Sequence, residues 1–315
     1  MNNLSDGQSN KNHEDEIDIW ELFHILFQGK WIIVSVTTFV SIIGIVYSLY
    51  LPNIYQSEAL LVPVDSSKSM SGSLGGYAGL AGLAGISLPS ASGDGNTLKA
   101  VEKLNSLSFF ENNILPYIFL PDLMALKSWD SQTNTLVYDE NIYKKDTNTW
   151  VRDYSYPKKQ IPTAQESFKE FKAEHLDINL DQKSGFLNLK IKHQSPYIAK
   201  EWTELLINQV NIFYRQKDKS ESKKAVSYLN QQITSTSLSE VKEAIAQLLQ
   251  NETKKLTLIE ANQSYVFEYI DPPAVMEKKL EPSRSIIAIL SALLGGVLSV
   301  LLVFIRHYQF NIQKY

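Results

Sequence analysis

Residues Trp31–Leu51 read WIIVSVTTFVSIIGIVYSLYL, twenty-one positions without a single Asp, Glu, Lys, Arg or His. A second stretch of the same length, Ser285–Ile305 (SIIAILSALLGGVLSVLLVFI), lies between Arg284 and Arg306. As helix, each reaches about 31 Å at 1.5 Å per residue, enough to cross a hydrocarbon core of roughly 30 Å. A helix on the surface of a soluble domain keeps one apolar face, whereas these are apolar on every side. The pattern predicts two membrane spans with the bulk of the chain strung between them. Both ends of the chain then share one side of the membrane, and the segment between the spans stands alone on the other. The first span is too long for a cleavable signal peptide and follows an acidic, hydrated head.

Charge does not orient the spans. Lys30 and Arg306 flank them on the terminal side, but Lys278, Lys279 and Arg284 flank them on the other, and long translocated domains largely escape the positive-inside rule. The chain has no cysteine, which fits an oxidising compartment without disulfides. A net charge of -4 argues against a nucleic-acid partner.

Working outward, residues 1–15 are polar and rich in Asn and Ser, the composition of a disordered head. Ile17, Trp20, His24 and Phe27 follow helical spacing and predict a helix lying at the membrane surface before Gly29-Lys30. After Pro52, Tyr55–Val64 reads as a strand. Residues 66–96 are a Ser/Gly/Ala/Leu stretch with Gly72, Gly75, Gly76, Gly79, Gly82 and Gly85. Leu98, Val101, Leu104, Leu107 and Phe110 then keep a helical period up to Pro116. The segment from Trp129 to Pro162 is polar and turn-rich. Leu176–Leu180 and Phe186–Ile191 alternate around Asp181–Gly185, a β-hairpin signal. From Ser195-Pro196 the pattern is helical to about Ala261, with Ser195 as N-cap and Pro196 as first helical residue. Unbroken, it would make a rod on the order of 90 Å; Arg215–Lys224 and Thr234–Ser239 are the places where it could break. Tyr265–Ile270 reads as a returning strand ended by Asp271-Pro272-Pro273. The predicted architecture is α+β, a sheet at the membrane from which a long helical arm extends. Its parts are a head at 1–30, spans at 31–51 and 286–305, a domain at 52–285 and a tail at 306–315.

Little in this chain points to catalysis. The five histidines, His13, His24, His175, His193 and His307, show no paired ligand spacing, and without cysteine there is no thiol nucleophile or Cys-type zinc site. Glu166/Glu170 and Glu240/Glu243 have the spacing of a solvated helix face. Trp129, Trp150 and Trp202 are open to two readings, sugar stacking or ordinary packing. The glycine-rich stretch lacks the GK[ST] of a phosphate loop, and Gly75-xxx-Gly79 sits in too short an apolar run for a membrane dimer motif. Its Leu80, Leu83, Ile86 and Leu88 fit a loop ordered against a neighbouring subunit.

The second span carries the sharper signal. Ser291, Gly295 and Ser299 recur every four residues, and Ala288, Ala292 and Gly296 form a second row. Small residues at this spacing let helix backbones approach and pack by van der Waals contact. Gly44 and Ser48 offer a shorter version in the first span. Pro272, Pro273, Pro282 and Arg284 shape the approach to the second span and complete the candidate set for packing or partner coupling.

These pieces, in this order, resemble the chain length determinant (Wzz-like) family of polysaccharide co-polymerases. Glu16-Ile17-Asp18 with Gly29-Lys30-Trp31 is similar to the family's lead-in to its first span. Tyr55-Gln56-Ser57 and Leu83–Leu88 are similar to its first strand and glycine-rich loop. The most specific pieces are Gln194–Trp202, Tyr228–Gln232, Tyr265-Val266-Phe267 with Ile270-Asp271-Pro272, and Pro282-Ser283-Arg284. The family commonly has a further proline near Val275-Met276-Glu277, absent here. The resemblance implies the O-antigen type without a kinase domain: a bacterial inner-membrane protein with cytoplasmic termini, a periplasmic domain with a membrane-proximal mixed sheet, and a ring-like homo-oligomer. It implies a partnership with a Wzy-type polymerase and a lipid-linked polysaccharide in the bilayer, without catalysis or cofactor of its own. Two other classes are weighed beside it. One is a capsule or exopolysaccharide co-polymerase paired with a separate tyrosine kinase. The other is a periplasmic sensor, which needs an output module that the residues after Arg306 are too few to build.

Overall fold

The computed structural model describes residues 19–64, 93–262 and 264–312. The expectations placed on residues 1–18 and on most of the glycine-rich stretch lie outside the described residues. In chain order, α1 (Ile19–Gln28) and α2 (Lys30–Tyr50) precede β1 (Tyr55–Pro63) and α3 (Gly93–Leu104). Short helical turns from Leu107 to Tyr117 and α4 (Leu120–Met124) lead to two small hairpins. These are β2 (Leu126–Asp130) with β3 (Thr135–Tyr138), and β4 (Tyr143–Lys144) with β5 (Thr149–Trp150). α5 (Ala164–Glu170) continues through a π-helical turn (Phe171–His175) into β6 (Leu176–Leu180) and β7 (Leu187–His193). The long helices α6 (Pro196–Ser235) and α7 (Ser239–Ala261), then β8 (Phe267–Asp271) and α8 (Arg284–Ile312), complete the chain. The residues divide into two compact units, 1–51 with 282–315, and 52–281. In the first, α2 and α8 are long and apolar enough to cross a membrane.

In the second unit the sheet order is β6-β7-β1-β8. The hairpin and the first and last strands thus share one sheet. The sheet is not the mixed one expected, because among the described residues every pairing is antiparallel. The turn between β6 and β7 needs a left-handed residue, and Gly185 supplies it with φ of +72°. Alternate residues of β7, namely Leu187, Leu189, Ile191 and His193, are buried. They meet Leu61, Ala59, Ser57 and Tyr55 of β1 in register, so one face of the sheet is a continuous apolar surface. The first half of α6 lies on it through Ala199, Trp202, Leu206, Ile207 and Val210. Ala100, Leu104, Phe109, Phe110, Ile114 and Phe171 close the same core. The helical period read from Leu98 to Phe110 is interrupted at Ser106, whose hydroxyl caps the next turn by accepting the amide of Phe109.

The single helix expected from 196 to about 261 is two helices that form a hairpin. Thr236 and Leu238 are extended (ψ 133° and 124°), in the run Thr234–Ser239 where a break could fall. Hydroxyls compete there for backbone partners: Thr234 and Ser235 donate to the carbonyls of Gln231 and Gln232. Beyond the break the chain reverses. Lys219 pairs with Glu260, and Arg215 donates to the carbonyl of Asn262 at 2.6 Å. In a straight helix the first pair would stand about 60 Å apart. The arm is α6 itself, about 60 Å long, with α7 folded back along its outer half. Ser195 holds the N-cap backbone conformation, but its side chain caps nothing; its amide instead donates to Nδ1 of His193 at 2.9 Å.

Candidate functional site

The first part of the candidate site is the seam between α2 and α8. The helices run antiparallel, and the row Ser291, Gly295, Ser299 faces α2. A Cβ on Gly295 would lie 3.0 Å from Cβ of Val40 and 3.1 Å from Cα of Thr37, and one on Gly44 would fall on the side chain of Ser291. At the far end of the seam a Cβ on Gly29 would press to 2.6 Å from both methyls of Val303. Ser48 and Ser299 are buried. Their hydroxyls are satisfied within their own helices, on the carbonyls of Ile45 at 2.8 Å and Gly296 at 2.7 Å. Such back-bonding suits a medium without water. Thr37 and Ser299 also approach across the seam at 3.5 Å. Gly296 is different: a Cβ there would meet nothing within 4 Å. The two rows read from the sequence therefore separate, one closed against α2 and the other open at Gly296.

The second part is the chain that follows β8. Pro272 and Pro273 carry no amide hydrogen, so the ladder with β1 stops at Asp271. The chain nevertheless stays beside β1. Ser57 donates to the carbonyl of Ala274 at 3.0 Å, and Pro273 is buried while Pro272 is exposed. Pairing resumes at Ile54 and Glu281, whose backbones bridge at 2.9 Å. Lys279 donates to Asn53 at 3.0 Å, and Lys192 pairs with Glu281 at 2.7 Å. The two ends of this unit are thus fastened to each other. Pro282, partly buried, and Arg284, exposed at the start of α8, belong to the other unit.

Upstream, the return path is stitched to α6. Asn211 accepts the amides of Val266 and Phe267 at 2.8 and 3.0 Å and donates to the carbonyl of Phe267 at 3.0 Å. Tyr265 donates to Asp218 at 2.5 Å. Burial and the carboxylate push the Tyr265 phenol above its ordinary range. The motif Tyr265-Val266-Phe267 therefore has a structural cause: it locks the returning chain onto the arm. Asn211 carried no signal that distinguishes it from other polar helix residues.

The titratable groups in the interior serve packing. His193 is buried beside His175 and Trp202, with ring centroids 5.6 and 4.9 Å away. Its Nδ1 accepts the Ser195 amide, so Nε2–H donates to the carbonyl of Asp122 at 3.2 Å. Burial, reinforced by His175, pushes its pKa down to about 3; burial also lowers that of His175. Both rings are neutral linkers at ordinary pH. Burial raises the Asp122 carboxyl although Tyr138 donates to it at 2.6 Å. The Trp side chains contact neighbouring rings: Trp202 lies in the core, Trp150 stands against Tyr143 and Trp129 against Tyr55. Glu166, read as part of a solvated face, instead takes a two-pronged bond from Arg152 at 2.5 and 2.8 Å, which holds its carboxyl below the usual range. Among the described residues no cluster of three His, Asp or Glu could hold a metal ion.

A family profile described as "Chain length determinant protein" (Wzz) matches residues 15–111. Among solved structures, a "full-length bacterial polysaccharide co-polymerase" is similar at 14% identity, covering 93% of this chain and 99% of its own, with a TM-score of 0.43. A "Fragment of WzzB, Polysaccharide Co-polymerase from Salmonella Typhimurium" is similar at 13% identity, covering 73% of this chain and 100% of its own, with a TM-score of 0.33. No curated protein matches the chain. The profile match over residues 15–111 falls on the family that the motifs quoted above resemble, chain length determinant (Wzz).

Proposed function

We propose that the chain is a non-enzymatic regulator of polysaccharide chain length, acting on lipopolysaccharide O-antigen with a Wzy-type polymerase. The observation that carries this reading is the chain length determinant match over residues 15–111. In this reading α2 and α8 span the inner membrane, both termini are cytoplasmic and the unit 52–281 is periplasmic. Several copies form a ring-like scaffold that holds polymerase and lipid-linked glycan together for a limited number of additions. Two features support the reading. The unit between the spans is closed on itself where the chain joins them, through Ile54 and Glu281. The second span keeps Gly296 off its own seam, which leaves the helix surface at Gly296 for a neighbouring helix, the polymerase in this reading.

Deleting the gene is expected to replace a clustered glycan ladder with a broad one, and complementation is expected to restore the cluster. A ladder unchanged by deletion in a strain with no second regulator overturns the function. In the complemented strain, Gly296→Leu is expected to broaden the ladder while the protein stays at normal level in the membrane. A normal ladder from that variant removes this surface from the coupling site.

A further inference from the structure

The loop from 153 to 161 is exposed at every residue, yet it is held rigidly. Arg152 donates to the carbonyls of Gln160 at 2.9 Å and Lys159 at 2.7 Å while its guanidinium grips Glu166. Gln160 donates to the carbonyl of Trp150 at 2.7 Å, and the Lys158 amide closes a turn on the carbonyl of Ser155 at 2.9 Å. What this frame presents is Tyr156, 97% exposed, with Tyr154 and Ile161 at 57% and 60%. Lys158 and Lys159 stand between them, and Asp153 is the loop's one acid. An ordered tip of tyrosines, an aliphatic side chain and lysines has the composition that settles at a membrane–water interface. There the rings bridge headgroup and acyl layers and the ammonium groups meet lipid phosphates.

We propose that this loop is a contact for an anionic phospholipid surface, an attachment of the chain to the bilayer in addition to α2 and α8. Tyr156 is almost wholly exposed at the tip, which favours insertion into a soft surface over cradling a glycan. Its position in the unit fits as well. Glu166, which anchors the clamp, lies one helical turn before Glu170. Glu170, Ala173 and Glu174 line one cavity with Ile54 and Glu281, the residues beside which the chain leaves for α2 and α8. Tethering by two spans keeps a bilayer at high effective concentration, so a weak contact suffices.

The inference rests on α2 and α8 being spans, not on the glycan that the protein regulates. Because the chain has no cysteine, Tyr156→Cys gives a single site for a spin label in the full-length protein. Lys183→Cys serves as reference, since the β6–β7 turn lies at the opposite end of β1 from Tyr55, about 20 Å along the strand. Both variants are placed in nanodiscs of phosphatidylethanolamine and phosphatidylglycerol; incorporation tests the spans separately from the loop. The label at 156 is expected to gain accessibility to oxygen and lose it to a water-soluble nickel complex, relative to the label at 183. Adding Lys159→Glu, which leaves the ion pair of Lys158 with Glu166 at 3.7 Å in place, is expected to return it toward the aqueous value. A label at 156 as open to nickel as that at 183 overturns the proposal. So does a label shielded from both reagents, which would make the occupant a protein surface.

Discussion

Two helices in this molecule are packed against partners by opposite means. α6 lies on the sheet through Trp202, Leu206, Ile207 and Val210, whereas α8 meets α2 through Ser291, Gly295 and Ser299. In water, large side chains gain by leaving solvent, at about 25 cal/mol for each Å² of apolar surface, and the helix surface that packs is the bulky one. Between apolar spans that gain is absent, because lipid tails are as apolar as leucine. Close backbone approach and matched shape remain, and the surface that packs is the small one. Leu290, Leu293, Leu294 and Val297 are accordingly among the exposed residues of α8.

The bulky contact is the costlier of the two to lose. Trp202, 3% exposed, touches Phe171, His175 and His193. Trp202→Ala is expected to cost about 3–5 kcal/mol, read as a lower unfolding midpoint by near-ultraviolet circular dichroism. The seam is broken in the other direction, by addition. Gly295→Leu drives a side chain into Thr37 and Val40, and overpacking of this kind costs about 1–3 kcal/mol. It is expected to lower the thermal midpoint in nanodiscs, whereas Gly296→Leu, one residue away, leaves it unchanged. Equal effects at the two glycines would mean that the seam does not run through Gly295.

The smallest effect concerns the polar linkers in the bulky core. His193 is held at a pKa of about 3 against an unfolded value near 6.5, so the unfolded chain binds more protons between those values. Stability is then fully present above about pH 6.5 and declines as pH falls, by up to about 1.4 kcal/mol per unit. The raised Asp122 carboxyl acts oppositely, gaining as it protonates at lower pH, so the decline is read between about pH 6.5 and 5. His193→Gln is expected to make the decline shallower over that interval, His175, also lowered by burial, keeping part of it, and an unchanged slope would assign the decline to other groups.

Much of this was legible in the chain. Unbroken apolar composition gave α2 and α8, alternation gave β6 and β7, and the prolines after Asp271 stopped β8 where they stand. The row Ser291, Gly295, Ser299 was visible as a spacing, but its partners were not. Gly29 read as a simple junction, and nothing local to Thr37 or Val40 announces a contact more than 250 positions away. Arg152 and Glu166 were equally silent, since a charge pair brought together by a fold looks like two surface charges in sequence. The hairpin of α6 and α7 was half legible. The hydroxyl-rich run Thr234–Ser239 marked where helix could fail, but one periodicity serves a straight rod and a reversed pair alike.

The sequence by itself determined what each segment is, because hydropathy, period and turn chemistry act over a few residues. It determined two apolar helices, a hairpin, a long helix and a strand stopped by proline. Only the tertiary structure decided which surfaces meet: the antiparallel order β6-β7-β1-β8, the reversal that brings Glu260 back to Lys219, and the division of two neighbouring glycines between a closed seam and an open row. Those outcomes depend on distances between residues far apart in the chain, and no local pattern encodes them.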